Sequence, residues 1–169
     1  MWLILGSWPR LPTHDLPGVQ AVRQKIMPPI WLALAALAMV AIHYLVPLGR
    51  FGSTPMRVLG VVVVLAGMSL ILIGARQFDR AHTTIKPFEE SSAIVTSGVY
   101  RICRNPIYLG MALVLVGTGL ALGSVAPFVV VPVFVWWITT RFIVVEERML
   151  AASFPREYDA YRARTRRWL

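Results

Sequence analysis

The chain has 169 residues, 57% of them hydrophobic and 15% charged, with a mean hydropathy of +0.64 and a formal net charge of +9 at pH 7. That length suits one domain, and the long uncharged runs exclude an ordinary soluble protein in favour of an integral membrane one, so the positive charge need not signal nucleic acid. The single cysteine, Cys103, excludes an intramolecular disulfide, and no zinc-type ligand spacing occurs.

The N-terminal MWLILGSW has an apolar stretch too short for a signal-peptide core and no basic residue before it, so no cleaved leader is expected. Residues 1–27 read as an N-terminal lead without a motif. Four apolar segments follow: Pro29–Val46, Met56–Phe78, Pro106–Gly123 and Pro127–Val145. Each is close to the roughly 20 residues that cross the hydrocarbon of a bilayer. Their apolarity is continuous, without two-residue alternation, which excludes β-barrel strands. The expected fold class is all-α, a polytopic helical membrane protein with about four transmembrane helices in a single domain, 1–169.

Gly60, Gly67 and Gly74 recur every seven residues in the second segment, as do Gly110 and Gly117 in the third. Small residues so spaced predict close helix packing. Only Gly123-Ser124-Val125-Ala126 separates the third and fourth segments, which predicts an antiparallel hairpin. His43, on an apolar segment, is expected to be a packed or hydrogen-bonded core residue.

The connection Asp79–Asn105 is long for two helices, and long connections are often functional. Its AHTTIKPFEE stretch reads as an ordered, extended loop. Its end, GVYRICRNPIYLGM, puts Arg101, Arg104, Asn105 and Tyr108 at the mouth of the third segment. Cys103, between two arginines, is expected to have a lowered pKa, but no partner base is evident and no nucleophilic role is expected. The fourth segment ends in VVEERML, with Glu146 and Glu147 about one turn past the apolar run. In SFPREYDAYRARTRRWL, Pro155 can open a helix. On that helix Tyr158, Tyr161, Thr165 and Trp168 would share one narrow arc, as in an interfacial helix with one apolar or aromatic side.

Of all lysines and arginines, only Arg50 and Arg57 fall outside the N-terminal segment, the second connection and the C-terminal portion. The positive-inside rule then puts both termini and the second connection in the cytoplasm. A carboxylate near the bilayer costs free energy, so the Glu146–Glu147 pair implies a use. Adjacent helical residues differ by about 100° in direction, so one carboxylate can pair with Arg101 or Arg104 while the other binds a ligand. The hairpin would bring the polar mouth of segment three beside the acidic exit of segment four. Spacing alone specifies a polar zwitterion or nucleotide-like ligand beside a lipid-like one. No P-loop or GxGxxG follows a strand pattern, which excludes soluble-type nucleotide folds.

SGVYRICRNPIYLGM, a span pair, EERML and FPREYDAYRARTRRW, in that order, resemble the isoprenylcysteine carboxyl methyltransferase and phospholipid methyltransferase superfamily. The match covers about Thr83–Trp168, the motif-bearing half. The resemblance implies S-adenosylmethionine as cofactor and methyl transfer to a lipophilic acceptor, a prenylcysteine-like carboxylate or a phospholipid-like amine, at the cytoplasmic face. It implies an integral protein of a bacterial-type plasma (inner) membrane, with a lipid or lipophilic small molecule as partner and no nucleic acid. By position it gives Arg104, Asn105 and Glu147 catalytic roles. The same three residues with Pro106, Tyr108, Glu146, Tyr158 and Tyr161 would form the cofactor site. Arg101 and Arg167 are candidates for an anionic group of the substrate.

The chain departs from the pattern in three places. Asn105 stands where the carboxyl methyltransferases usually have histidine, so a histidine base is missing there. Phe154-Pro155 replaces the usual Phe-Gly, and the Gly-x-Gly of phosphatidylethanolamine-methylating relatives has only Gly74-Ala75-Arg76 as its nearest counterpart. Two other readings stand beside this one: an NADPH-dependent membrane reductase related to sterol reductases, and a non-enzymatic helical scaffold assembled through its glycine faces.

Overall fold

A computed structural model describes residues 27–46, 48–80 and 94–169. The N-terminal lead and the AHTTIKPFEE loop expected from the sequence lie outside the described residues, apart from Met27. The described chain is helical: α1 (Pro28–Leu45), α2 (Thr54–Arg80), α3 (Pro106–Leu122), α4 (Ala126–Ser153) and α5 (Pro155–Arg164), with a 3-10 turn at Gly98–Arg101. Among the described residues β-structure is limited to two isolated bridges, Arg50 with Ser124 and Cys103 with Arg166.

Three of these helices, α1, α2 and α4, are long and apolar enough to cross a membrane. Exposed Leu34 and Leu37 on α1 and Val58, Val62 and Leu65 on α2 would face water in a soluble protein. The molecule is an integral membrane protein, and this surface is what a bilayer covers. The third expected span differs from the other three. α3 has 17 residues, about 26 Å at the helical rise, and it is the most buried helix rather than a lipid-facing one. Met111, Leu115 and Gly117 of α3 are buried, and Met39 of α1 with Phe134, Ile138 and Phe142 of α4 complete the core around it.

The glycine stripes expected to pack do so against each other. A Cβ on Gly67 would stand 2.6 Å from the Gly110 carbonyl oxygen, and one on Gly117 would stand 2.6 Å from that of Gly60. Backbones this close leave no room for any side chain, which fixes the register of α2 on α3. α3 ends at Gly123 in the left-handed conformation (φ 65°), whose N–H donates to the Gly119 and Leu120 carbonyls. The chain then turns directly into α4. The segment before α2 ties to this turn, with Phe51 N–H donating to Gly123 O at 2.9 Å and Val125 N–H to Gly49 O at 3.1 Å.

α4 runs beyond the expected Val145 to Ser153, so Glu146 and Glu147 sit inside a continuous helix. It contains one π-turn, Thr139–Ile143. Thr139 and Thr140 donate their hydroxyls to the Val135 and Trp136 carbonyls at 2.6 and 3.0 Å. The same two carbonyls accept the Thr139 backbone N–H, and threonine back-bonding of this kind often bends a helix. His43 packs edge-on to Tyr44, with ring centroids 5.0 Å apart, and its Nδ1 is buried without a hydrogen-bond partner.

Candidate active site

The polar mouth begins at Pro106, fully buried at the first position of α3, where its missing N–H costs nothing. Asn105 stands at the N-cap but does not cap the helix. Its side-chain amide instead donates to the Arg167 carbonyl at 3.0 Å. Arg104 N–H donates to the Arg166 carbonyl at 2.8 Å, and its guanidinium donates to Glu147 at 3.0 Å. The residues leading into α3 therefore hold the C-terminal strap in place with both backbone and side chain.

The hairpin brings the two ends together as expected. Tyr108, in the first turn of α3, donates its hydroxyl to Glu146 Oε1 at 2.6 Å. Glu147 receives Arg104 and, from the other side, Arg167, whose Nε and Nη2 reach its two oxygens at 3.1 and 2.6 Å. The adjacent carboxylates thus divide their work: Glu147 is an ion-pair centre between two arginines, and Glu146 faces a phenol. Arg104 and Glu147 are nearly buried, their side chains 9% and 14% exposed, whereas Arg167 is 41% exposed. The Glu147 hydrogen bond holds the Arg167 guanidinium above its usual pKa.

The C-terminal segment departs from the expected arc. α5 stops at Arg164, and Thr165 is extended (φ −131°, ψ 129°), so Thr165 and Trp168 do not continue the helical stripe of Tyr158 and Tyr161. The chain instead forms a strap that bridges Cys103 through Arg166. Tyr158 and Tyr161 are buried in protein. Tyr161 donates its hydroxyl to the Tyr100 carbonyl at 2.7 Å, and burial raises its pKa. The Tyr158 hydroxyl is buried with no hydrogen-bond partner, as is Arg104 Nε. The lowered thiol pKa expected for Cys103 is corrected here. The thiol is only 1% exposed, and burial pushes its pKa up, outweighing the opposing hydrogen bond from the Asn105 backbone.

Two expected substrate residues separate. Arg167 is committed to Glu147, while Arg101 is exposed and lines a groove with Thr96, Arg164 and Thr165. Sequence reasoning missed Tyr100, the buried residue whose carbonyl anchors α5. Its position within GVYRICRN, between a left-handed glycine (Gly98, φ 57°) and the arginines, was the available signal.

A helical membrane protein whose central hairpin opens on an arginine–carboxylate–tyrosine centre is the class that fold and site define. The family model for phospholipid methyltransferase matches residues 55–157, and the chain belongs to that family. It is similar to a probable protein-S-isoprenylcysteine O-methyltransferase of Oryza sativa subsp. indica, 30% identical over 106 residues, which is 60% of this chain and 54% of the relative. Protein-S-isoprenylcysteine O-methyltransferase A of Arabidopsis thaliana is 31% identical over 106 residues, 60% of this chain and 53% of the relative. The protein-S-isoprenylcysteine O-methyltransferase of Schizosaccharomyces pombe is 27% identical over 82 residues, 48% of this chain and 35% of the relative. The match spans about half the length of the plant relatives. No solved structure gives a significant match.

Proposed function

We propose that the chain transfers the methyl group of S-adenosylmethionine to a lipophilic acceptor at the cytoplasmic face of a membrane. The observation that carries this reading is the meeting of Arg104, Tyr108, Glu146 and Glu147 at the open end of the hairpin. The donor set suits the cofactor. Its amino and ribose hydroxyl groups need carboxylate acceptors, which Glu146 and Glu147 offer, and its carboxylate needs donors such as Arg104 and the Asn105 amide. Arg104 Nε and the Tyr158 hydroxyl, buried and without hydrogen-bond partners among the described residues, are donors that suit a ligand.

When bound, S-adenosylmethionine supplies a methyl group already activated on a sulfonium. The protein's task is then alignment and exclusion of water, and proximity can supply much of the rate. Pro106 and Tyr108 shape the pocket wall, Glu147 orients the cofactor while Arg104 and Arg167 hold Glu147, and Tyr158 and Tyr161 close the side formed by α5. Asn105 cannot act as a base, so the acceptor arrives as its own nucleophile or loses its proton to water.

In this reading α3 is the fourth span, both termini face the cytoplasm of a bacterial-type inner membrane, and α5 lies at the interface. The relatives named above support a prenylcysteine-like carboxylate, and the family name a phospholipid-like amine. The test uses the full chain in nanodiscs with methyl-labelled S-adenosylmethionine and a lipid extract. Label should enter the organic phase and fall by about a hundredfold with Glu147→Ala. Folded protein that leaves the label in water but oxidises NADPH would overturn the reading in favour of a reductase.

A further inference from the structure

The groove lined by Thr96, Arg101, Arg164 and Thr165 measures about 370 Å3, and of these described lining residues only Arg101 was assigned above to methyl transfer. It forms where the chain leaving Tyr100 passes the end of α5. Arg101 follows Tyr100 and Arg164 follows Tyr161 by three residues, so the Tyr161–Tyr100 hydrogen bond of 2.7 Å ties together the two segments that carry the arginines. Thr165 is buried at the floor, in an extended conformation that α5 could not offer, and the Cys103–Arg166 bridge holds it there. Two arginines and two threonines therefore line one concave surface.

Glu147 already pairs with Arg104 and Arg167, and among the described residues no carboxylate forms a salt bridge with Arg101 or Arg164. Topology determinants need only lie on the correct side of the membrane. They do not need a shared cavity with hydroxyl-bearing walls.

We propose that this groove is a binding site for a phosphate monoester. Guanidinium groups match phosphate oxygens in a fork geometry, and threonine hydroxyls add donors for a third oxygen. Two cations balance a dianion, so a monoester fits better than a singly charged diester or carboxylate. The volume admits a phosphate together with the first atoms of the group that carries it. The ester can come from a lipid headgroup at the bilayer surface or from a soluble metabolite.

The proposal does not rest on methyl transfer, and its test contains no S-adenosylmethionine. Full-length protein in phosphatidylcholine nanodiscs is titrated with glycerol 3-phosphate by calorimetry. A second preparation carries phosphatidic acid, and its binding is read by displacement of a fluorescent phosphatidic acid. Saturable binding in either arm supports the site, and the arm that responds identifies the source. Arg101→Gln and Arg164→Gln should each weaken it by about tenfold to a hundredfold. Exposed Arg148→Gln should leave it unchanged, and glycerophosphocholine, a diester, should bind more weakly than the monoester. No binding in either arm, equal affinity for monoester and diester, or unchanged affinity in both groove variants would overturn the proposal.

Discussion

Glu147 is held between a buried arginine and a half-exposed one, and the two pairs have different worth. Removing Glu147 leaves Arg104 as an uncompensated, nearly buried cation, which costs about 3–5 kcal/mol. Arg167 keeps access to solvent, so Arg167→Ala should cost about 1 kcal/mol or less in stability. Thermal unfolding in detergent checks this ordering, and an Arg167→Ala loss equal to that of Glu147→Ala would contradict it. Cys103 gives a second test at the same scale. Its buried thiol has a raised pKa and stays protonated at pH 8, where an ordinary cysteine already carries some thiolate. Maleimide should therefore label the native protein slowly and the denatured protein fast. Rapid native labelling would mean that the strap over Cys103 opens. The sequence placed this cysteine beside two arginines but could not show that the fold buries it.

At the scale of elements, the close contact of α2 and α3 makes Gly67 a structural demand. Gly67→Ala would drive a methyl group into the Gly110 carbonyl and should cost about 1–3 kcal/mol. At Gly52 the nearest atom is the mobile end of Arg57, so Gly52→Ala should be tolerated. Chemical denaturation of the two variants separates these outcomes. The π-turn in α4 makes a different prediction. A π-turn takes in one extra residue, so everything beyond it is rotated by about 100° relative to an unbroken α-helix. Deleting Thr140 should restore α-helical spacing, keep the protein helical and turn Glu146 away from Tyr108. Circular dichroism should stay near wild type while methyl transfer falls by about a hundredfold. Retained activity would show that the register of the carboxylates is not set there. Glycine spacing made the helix contact legible in the sequence. The π-turn was not legible, because TTRFI satisfies an α-helix equally well.

At the scale of the molecule, apolar runs and the four-residue turn at Gly123–Ala126 were enough to place the start of α3 beside the end of α4. The contacts of Tyr108 with Glu146 and of Arg104 with Glu147 follow from that hairpin. Harder to foresee was the end of α5. The tyrosine spacing predicts a continuous helical face, yet the Cys103–Arg166 bridge and the burial of Thr165 favour an extended strap after Arg164. A long-range backbone contact of this kind leaves no periodicity in the sequence. The strap also explains why Arg101 and Arg167, paired by chemistry in the sequence, take separate places in the fold. One lines the groove and the other holds Glu147.

The central claim is that the hairpin mouth binds S-adenosylmethionine, and calorimetry on the full chain in nanodiscs tests it most directly. Wild type should bind saturably, with Asn105→Ala and Glu147→Gln each weakening binding by about tenfold or more. Folded wild-type protein that does not bind, or two variants that bind as wild type does, would contradict the account.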